Sequence, residues 1–292
     1  GENSQKRDIA SAKTEPQTPS IEPAKAREPI PLFAPQAPAL TSSLESAPQG
    51  QEAPQAPPQP EPLLNPETLN KSAREAMLNV FCTTKGGGLF RPSSGSATLI
   101  APRGVALTRA HVAHLLLLAE PVSPRQANSV TCSLRAGSPA TARYAVELLY
   151  ISQKWVALNK GSLAEESPKG TGEDDFALLL VKGAEPLPPL PFISPLLDES
   201  ALKNEKYVLL LGYPAGFLGG ISVQRDLYLT SAVAEVKELL TFGTATNSPT
   251  LDALTLGGNI VAQEGASGGA ALSLRSGKLA GIISARSEGA ST

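Results

Sequence analysis

The sequence predicts an all-β fold behind a long segment with no core of its own, and three observations carry that reading. Fourteen of the 27 prolines lie in the first 66 residues, where aromatic and β-branched side chains are few and Gln, Glu, Ala and Ser are frequent. Such a stretch buries too little apolar surface to offset its chain entropy. Beyond it, short apolar segments recur between clusters of Gly, Pro, Asn and Ser, the pattern of many strands joined by turns. No helix-length apolar pattern alternates with them, which argues against a parallel α/β sheet.

In chain order, residues 1–65 read as a disordered Pro-rich linker, made semi-rigid by runs such as Pro57-Pro58-Gln59-Pro60. Residues 66–292 are of ordinary size for one closed β domain. Asn65-Pro66-Glu67-Thr68 opens a short helix expected to run to about Met77, with Asn65 as N-cap and Pro66 at the first helical position. Strands are expected at residues 78–83, 96–100, 105–108, 129–134, 143–151, 176–181, 206–211, 226–236, 259–263, 270–274 and 279–284. Turn signals such as Pro102-Arg103-Gly104 and Ser276-Gly277 separate them.

A formal net charge of −2 with no basic block excludes nucleic acid or an anionic membrane surface as the main partner. The longest apolar runs, Leu115–Ala119 and Val208–Leu211, fall far short of the roughly 20 residues a spanning helix needs. The sequence begins without an initiator Met or a signal-peptide pattern, so a removed targeting segment or a fragment is expected. Cys82 and Cys132 share the alternation phase of apolar neighbours, Leu78 and Val80 in one case and Val130 and Leu134 in the other. Both cysteines should face inward, either paired as a disulfide in an exported enzyme or standing as separate buried thiols.

Acyl transfer at neutral pH needs an alcohol activated by a base, a group that holds the base, and donors where an oxyanion forms. Three segments supply candidates: Leu107-Thr108-Arg109-Ala110-His111, Asp175-Phe176-Ala177-Leu178-Leu179, and Gly265-Ala266-Ser267-Gly268-Gly269. Imidazole suits proton transfer because its ordinary pKa lies near neutrality. His111 and His114 lie three apart, yet no Glu or Cys set accompanies them, so no metal and no cofactor is expected. Asp174 competes with Asp175 and reads as a solvated turn residue, and Ser96 and Ser276 read as turn or surface groups.

On these three motifs and their order, the sequence resembles the trypsin-like serine peptidase family over about residues 76–286. Ala266 before the serine, and the small number of cysteines, make it more similar to bacterial members than to digestive enzymes. The resemblance implies two antiparallel six-stranded β-barrels with the active site in the cleft between them. It implies a catalytic triad of His111, Asp175 and Ser267, with an oxyanion hole formed by the amides of Gly265 and Ser267. It places Val261 at the base of the pocket for the residue before the cut, where an apolar floor would leave a substrate Arg or Lys unpartnered, so small or aliphatic residues are expected there. Ser284, Ala285 and Arg286 become the edge that pairs with the substrate backbone. Because the family continues through a further strand and often a C-terminal helix, the domain is expected to be C-terminally incomplete at Thr292.

The function expected is a serine endopeptidase acting on protein or peptide substrates, with no nucleic acid partner and no membrane span. The expected location is periplasmic, cell-surface or secreted, with an anchor ahead of Gly1 as one arrangement. The alternative is a catalytically silent module that keeps the fold to capture extended peptides; loss of a triad residue would favour it, and none is lost.

Overall fold

The computed structural model describes residues 62–86, 89–119, 129–161, 172–183, 188–216, 218–242, 251–257, 261 and 263–284. The Pro-rich segment lies outside them up to residue 61. The folded part opens with helix α1 (Pro66–Arg74), whose Asn65 side chain accepts from the amides of Glu67 and Thr68 at 2.9 and 3.2 Å. The helix stops at Arg74, short of the expected Met77, because Met77 already starts strand β1 (Met77–Gly86).

Strands β1, β2 (Leu89–Leu99), β3 (Val105–Thr108), β4 (Ser129–Ala136), β5 (Ala142–Ile151) and β6 (Ala177–Lys182) close into an antiparallel barrel of order β1-β2-β3-β6-β5-β4. Leu78, Val80, Leu99, Leu134, Leu179 and Val181 are buried and form part of one core. Cys82 lies directly opposite Cys132 in the β1/β4 register, and the two are joined by a disulfide. Helix α2 (Ala110–Ala113) follows β3, a 3-10 turn spans His114–Leu117, and helix α3 (Gln153–Asn159) follows β5.

The second sheet contains β7 (Tyr207–Gly212), β8 (Thr230–Leu240), β9 (Ala253–Leu256), β10 (Ala270–Ser273) and β11 (Leu279–Ile282), in the order β11-β10-β7-β8-β9. The all-β expectation therefore holds, as a closed barrel followed by a curled half-barrel in the chymotrypsin-like arrangement. Among the described residues this second sheet has five strands rather than six. Successive residues of β7 face different cores: Leu209 and Leu211 join the cluster that includes the barrel interior, whereas Val208 and Leu210 pack with Val261, Ala266 and Ile283.

Two strand expectations are corrected here. The run read as a strand at 226–236 starts only at Thr230, because helix α4 (Gly220–Arg225) precedes it and Leu227 and Leu229 are drawn into the core. At 259–263, the described residues 261 and 263 lie in a turn and a bend. The ladder is instead supplied upstream by β9, which pairs Leu256 with Val236.

Arg135 joins α4 to the barrel although it is fully buried and meets no carboxylate among the described residues. Its guanidinium donates to Asn79 Oδ1 and to the carbonyls of Val223 and Gln224 in the last turn of α4, and it stacks over Phe81 at 4.1 Å. Carbonyl dipoles and a ring face thus replace a counter-ion. Burial, with the nearby Arg143 charge, pulls this guanidinium down to about 10. Among the described residues no helix is long and apolar enough to cross a membrane.

Candidate active site

The end of β3 and the start of β6 are neighbours in register, Thr108 pairing with Ala177. His111 lies three residues beyond that pair and Asp175 two residues before it, so two residues far apart in sequence meet at one corner of the barrel. Helix α2 begins there with N-cap Arg109, whose side chain makes no capping bond. The orphan amide of His111 donates instead to Asp175 Oδ1 at 2.9 Å. The other carboxylate oxygen, Oδ2, faces His111 Nδ1 at 2.7 Å and also accepts from Arg109 Nε at 3.1 Å. The Asp175 side chain is only 5% exposed. Burial pushes its carboxyl up, but the hydrogen bonds and positive charge of His111, with the charge of Arg109, outweigh that and hold it below the usual carboxylate value.

Asp174, the rival carboxylate, turns elsewhere, accepting from Ser152 Oγ at 3.4 Å with Lys154 Nζ 3.9 Å away. His114 Nδ1 lies 2.6 Å from the carbonyl of His111, and its ring packs against Trp155 at 5.8 Å, a structural placement.

Ser267 sits on the turn ahead of β10, between Gly265 (φ +89°) and Gly268 (φ +85°), backbone conformations that L side chains rarely adopt. A Cβ on Gly268 would fall onto the Ser96 carbonyl oxygen and Thr108 Oγ1, well inside contact, so only glycine lets this turn reach the end of β3. The Ser96 amide donates to the Ser267 carbonyl at 2.8 Å. The carbonyl of Glu264 accepts from the amides of Ala215 and Gly216 at 2.7 and 3.1 Å. In a trans peptide the N–H points opposite the C=O, so the amide of Gly265 points away from that loop.

Ser96 corrects the sequence reading. It is fully buried rather than a turn or surface group: its hydroxyl donates to the Gly265 carbonyl at 2.8 Å and accepts from the Tyr213 amide at 2.9 Å. Thr108 Oγ1 donates to the Ser96 carbonyl at 2.6 Å. Tyr213, fully buried, reaches back to the barrel, its hydroxyl donating to the Gly137 carbonyl at 2.9 Å; burial pushes that hydroxyl up to about 12.

Ser284 accepts from Arg109 Nη2 at 3.1 Å, which links it to the carboxylate corner. Val261 is fully buried in the outer cluster of the second sheet. Ala285 and Arg286 lie outside the described residues. The sequence reading gave Arg109 no role, although a charged residue inside an otherwise small and apolar motif was the available signal. Taken together, the corner holds an imidazole clamped by a carboxylate, a serine on a glycine-bounded turn packed against the end of β3, and an amide aimed away from its anchoring loop. Imidazole, carboxylate and hydroxyl are groups that acyl transfer can use.

Residues 95–282, more than half of the chain, match the family model described as trypsin-like peptidase domain. No curated protein matches the chain. Among solved structures it is similar to the one titled "Crystal structure of Deg5", at 14% identity and a TM-score of 0.47, covering 74% of this chain and 82% of that one.

Proposed function

This chain belongs to the trypsin-like peptidase domain family, and from that premise we propose that it is a serine endopeptidase with His111, Asp175 and Ser267 as its triad. The observation that carries the reading is the 2.7 Å contact between His111 Nδ1 and Asp175 Oδ2. It commits Nδ1 to the carboxylate and leaves Nε2 as the ring nitrogen available to a serine. Ser267 Oγ attacks the scissile carbonyl carbon as its proton passes to Nε2. The amides of Gly265 and Ser267 stabilise the oxyanion, and the imidazolium returns a proton to the leaving amine. Water then repeats the sequence on the acyl-enzyme, and Asp175 holds the ring in one tautomer throughout.

Val261 gives the pocket for the residue before the cut an apolar floor, so cleavage follows small or aliphatic residues, with Ser284, Ala285 and Arg286 pairing with the substrate backbone. A cross-link such as Cys82–Cys132 persists in oxidising surroundings, which supports reading the enzyme as exported: periplasmic, cell-surface or secreted.

The test is labelling of the full chain with a fluorophosphonate near neutral pH, beside Ser267→Ala and His111→Ala. Labelling in the wild type that disappears in both variants is expected. A folded wild type that never reacts would overturn the reading in favour of a silent module.

A further inference from the structure

Arg109 occupies the open position of Leu107-Thr108-Arg109-Ala110-His111, and the triad chemistry itself gives it no task. Its side chain is 13% exposed. Nε donates to Asp175 Oδ2 at 3.1 Å, and Nη2 donates to Ser284 Oγ at 3.1 Å. One planar group therefore spans the end of β3, the turn before β6 and the residues after β11, with the geometric fixity that a guanidinium fork provides and an ammonium lacks. Oδ2 is also the oxygen that faces His111 Nδ1. A single carboxylate oxygen thus lies between a permanent cation and an imidazole whose charge comes and goes. A carboxylate already compensated by a guanidinium stabilises an imidazolium less than an uncompensated one does.

We propose that Arg109 is a positioning residue that fixes Asp175 against Ser284 and places a permanent positive charge on the carboxylate oxygen that faces His111 Nδ1. The inference rests on the reading of His111 as general base. The other ionisable groups around this corner bear on it differently. His114 approaches the His111 carbonyl through Nδ1. Asp174, beside Asp175 in the chain, is directed to Ser152 and Lys154 of the α3 region. Among these groups Arg109 is the one whose fixed charge meets the oxygen that faces the imidazole.

The chain contains two histidines, so NMR titration of their ring protons gives a direct readout with His114 as internal reference. The full chain carrying Ser267→Ala, which prevents turnover, is compared with the same chain bearing Arg109→Gln or Arg109→Lys. Loss of charge in Arg109→Gln is expected to move the His111 titration upward by about one pH unit, roughly a tenfold change in the imidazolium equilibrium. His114 should stay in place. Arg109→Lys, which keeps the charge and loses the fork, should leave His111 close to its original midpoint. With Ser267 intact, loss of the fork in Arg109→Lys should instead raise KM for peptide substrates several-fold, because Ser284 is released.

An unmoved His111 in Arg109→Gln, or an equal movement in Arg109→Lys, overturns the inference. The titration needs no turnover, so that result is separate from a wild type that fails to label, which overturns the peptidase reading instead. Should Arg109→Gln not fold, Ser284→Ala carries the geometric half: a KM unchanged from wild type would overturn it.

Discussion

The closed barrel and the five-stranded sheet divide the site unequally. The barrel pairs each of its six strands on both sides and is cross-linked by Cys82–Cys132. It supplies His111 and Asp175 from neighbouring strand ends, so their contact is set by register. The sheet ends at β9 and β11 among the described residues and supplies Ser267 from a turn. That turn is located by the seam between the two parts: Ser96 to Ser267 and Gly265, Tyr213 to Ser96, and Gly268 against Thr108. The difference teaches that His111 and Asp175 are held by the ladder, whereas the placement of Ser267 depends on a few polar contacts around one buried serine.

The seam should therefore be the most sensitive place to strike. Gly268→Ala forces a side chain into the Ser96 carbonyl at φ +85°, and a loss of about 5 kcal/mol, the top of the range for single substitutions, is expected. Urea unfolding checks the stability, and fluorophosphonate labelling of the folded fraction should fall at least about 100-fold, a loss typical of a misplaced reacting group. A variant that labels normally would break the comparison.

The barrel should respond in the opposite sense. Replacing Cys82 and Cys132 together by Ala removes a cross-link over a sequence separation of 50, a loss of about 3 kcal/mol. The urea midpoint should fall clearly, while labelling of the still-folded protein stays within about twofold, because the disulfide touches neither His111 nor the seam. Ser96→Ala sharpens the contrast from the other side. It deletes the hydroxyl bonds to Gly265 and Tyr213, costs about 2 kcal/mol and slows labelling about tenfold by misaligning the turn.

What was legible in the sequence follows the same division. The β3 boundaries at residues 105–108 and the Asn65 cap could be read because local chemistry dictates them. The His111–Asp175 contact was expected from the family resemblance of the two motifs, which the fold attaches to neighbouring strand ends. Ser96 was misread because β2 is buried on both faces: Ala97 and Leu99 fill one phase, but Ser96 and Thr98 of the opposite phase are also fully buried. Alternation alone assigns a polar phase to solvent, and only the partner across the seam reverses that. Arg109 escaped for a related reason, since its partners lie 66 and 175 residues away. In the second sheet, Val261 satisfies an apolar pattern by packing from a turn, while the ladder is completed by Ala253–Leu256, a run too short to stand out amid Thr, Ser and Gly.

The smallest expected effect separates the two regions by pH. The Asp175 carboxyl is held below its ordinary value of 3.8 in the folded protein, because the hydrogen bonds and charges of His111 and Arg109 outweigh the upward push of burial. A depressed folded-state value means that ionised Asp175 stabilises the fold above the ordinary carboxylate pKa, and that this contribution disappears as pH falls through the folded value. Asp175→Asn, which cannot ionise, should be less stable than wild type near neutrality, and the gap in urea midpoint should narrow steadily below about pH 4. Asp198→Asn is the control: the hydroxyl and amide of Ser200 also hold that carboxyl low, but it is fully exposed, so its gap should be small at every pH. A constant gap for Asp175→Asn across the acid range would show that the carboxylate's charge contributes nothing to barrel stability, and that His111 is held by the shape of the corner alone.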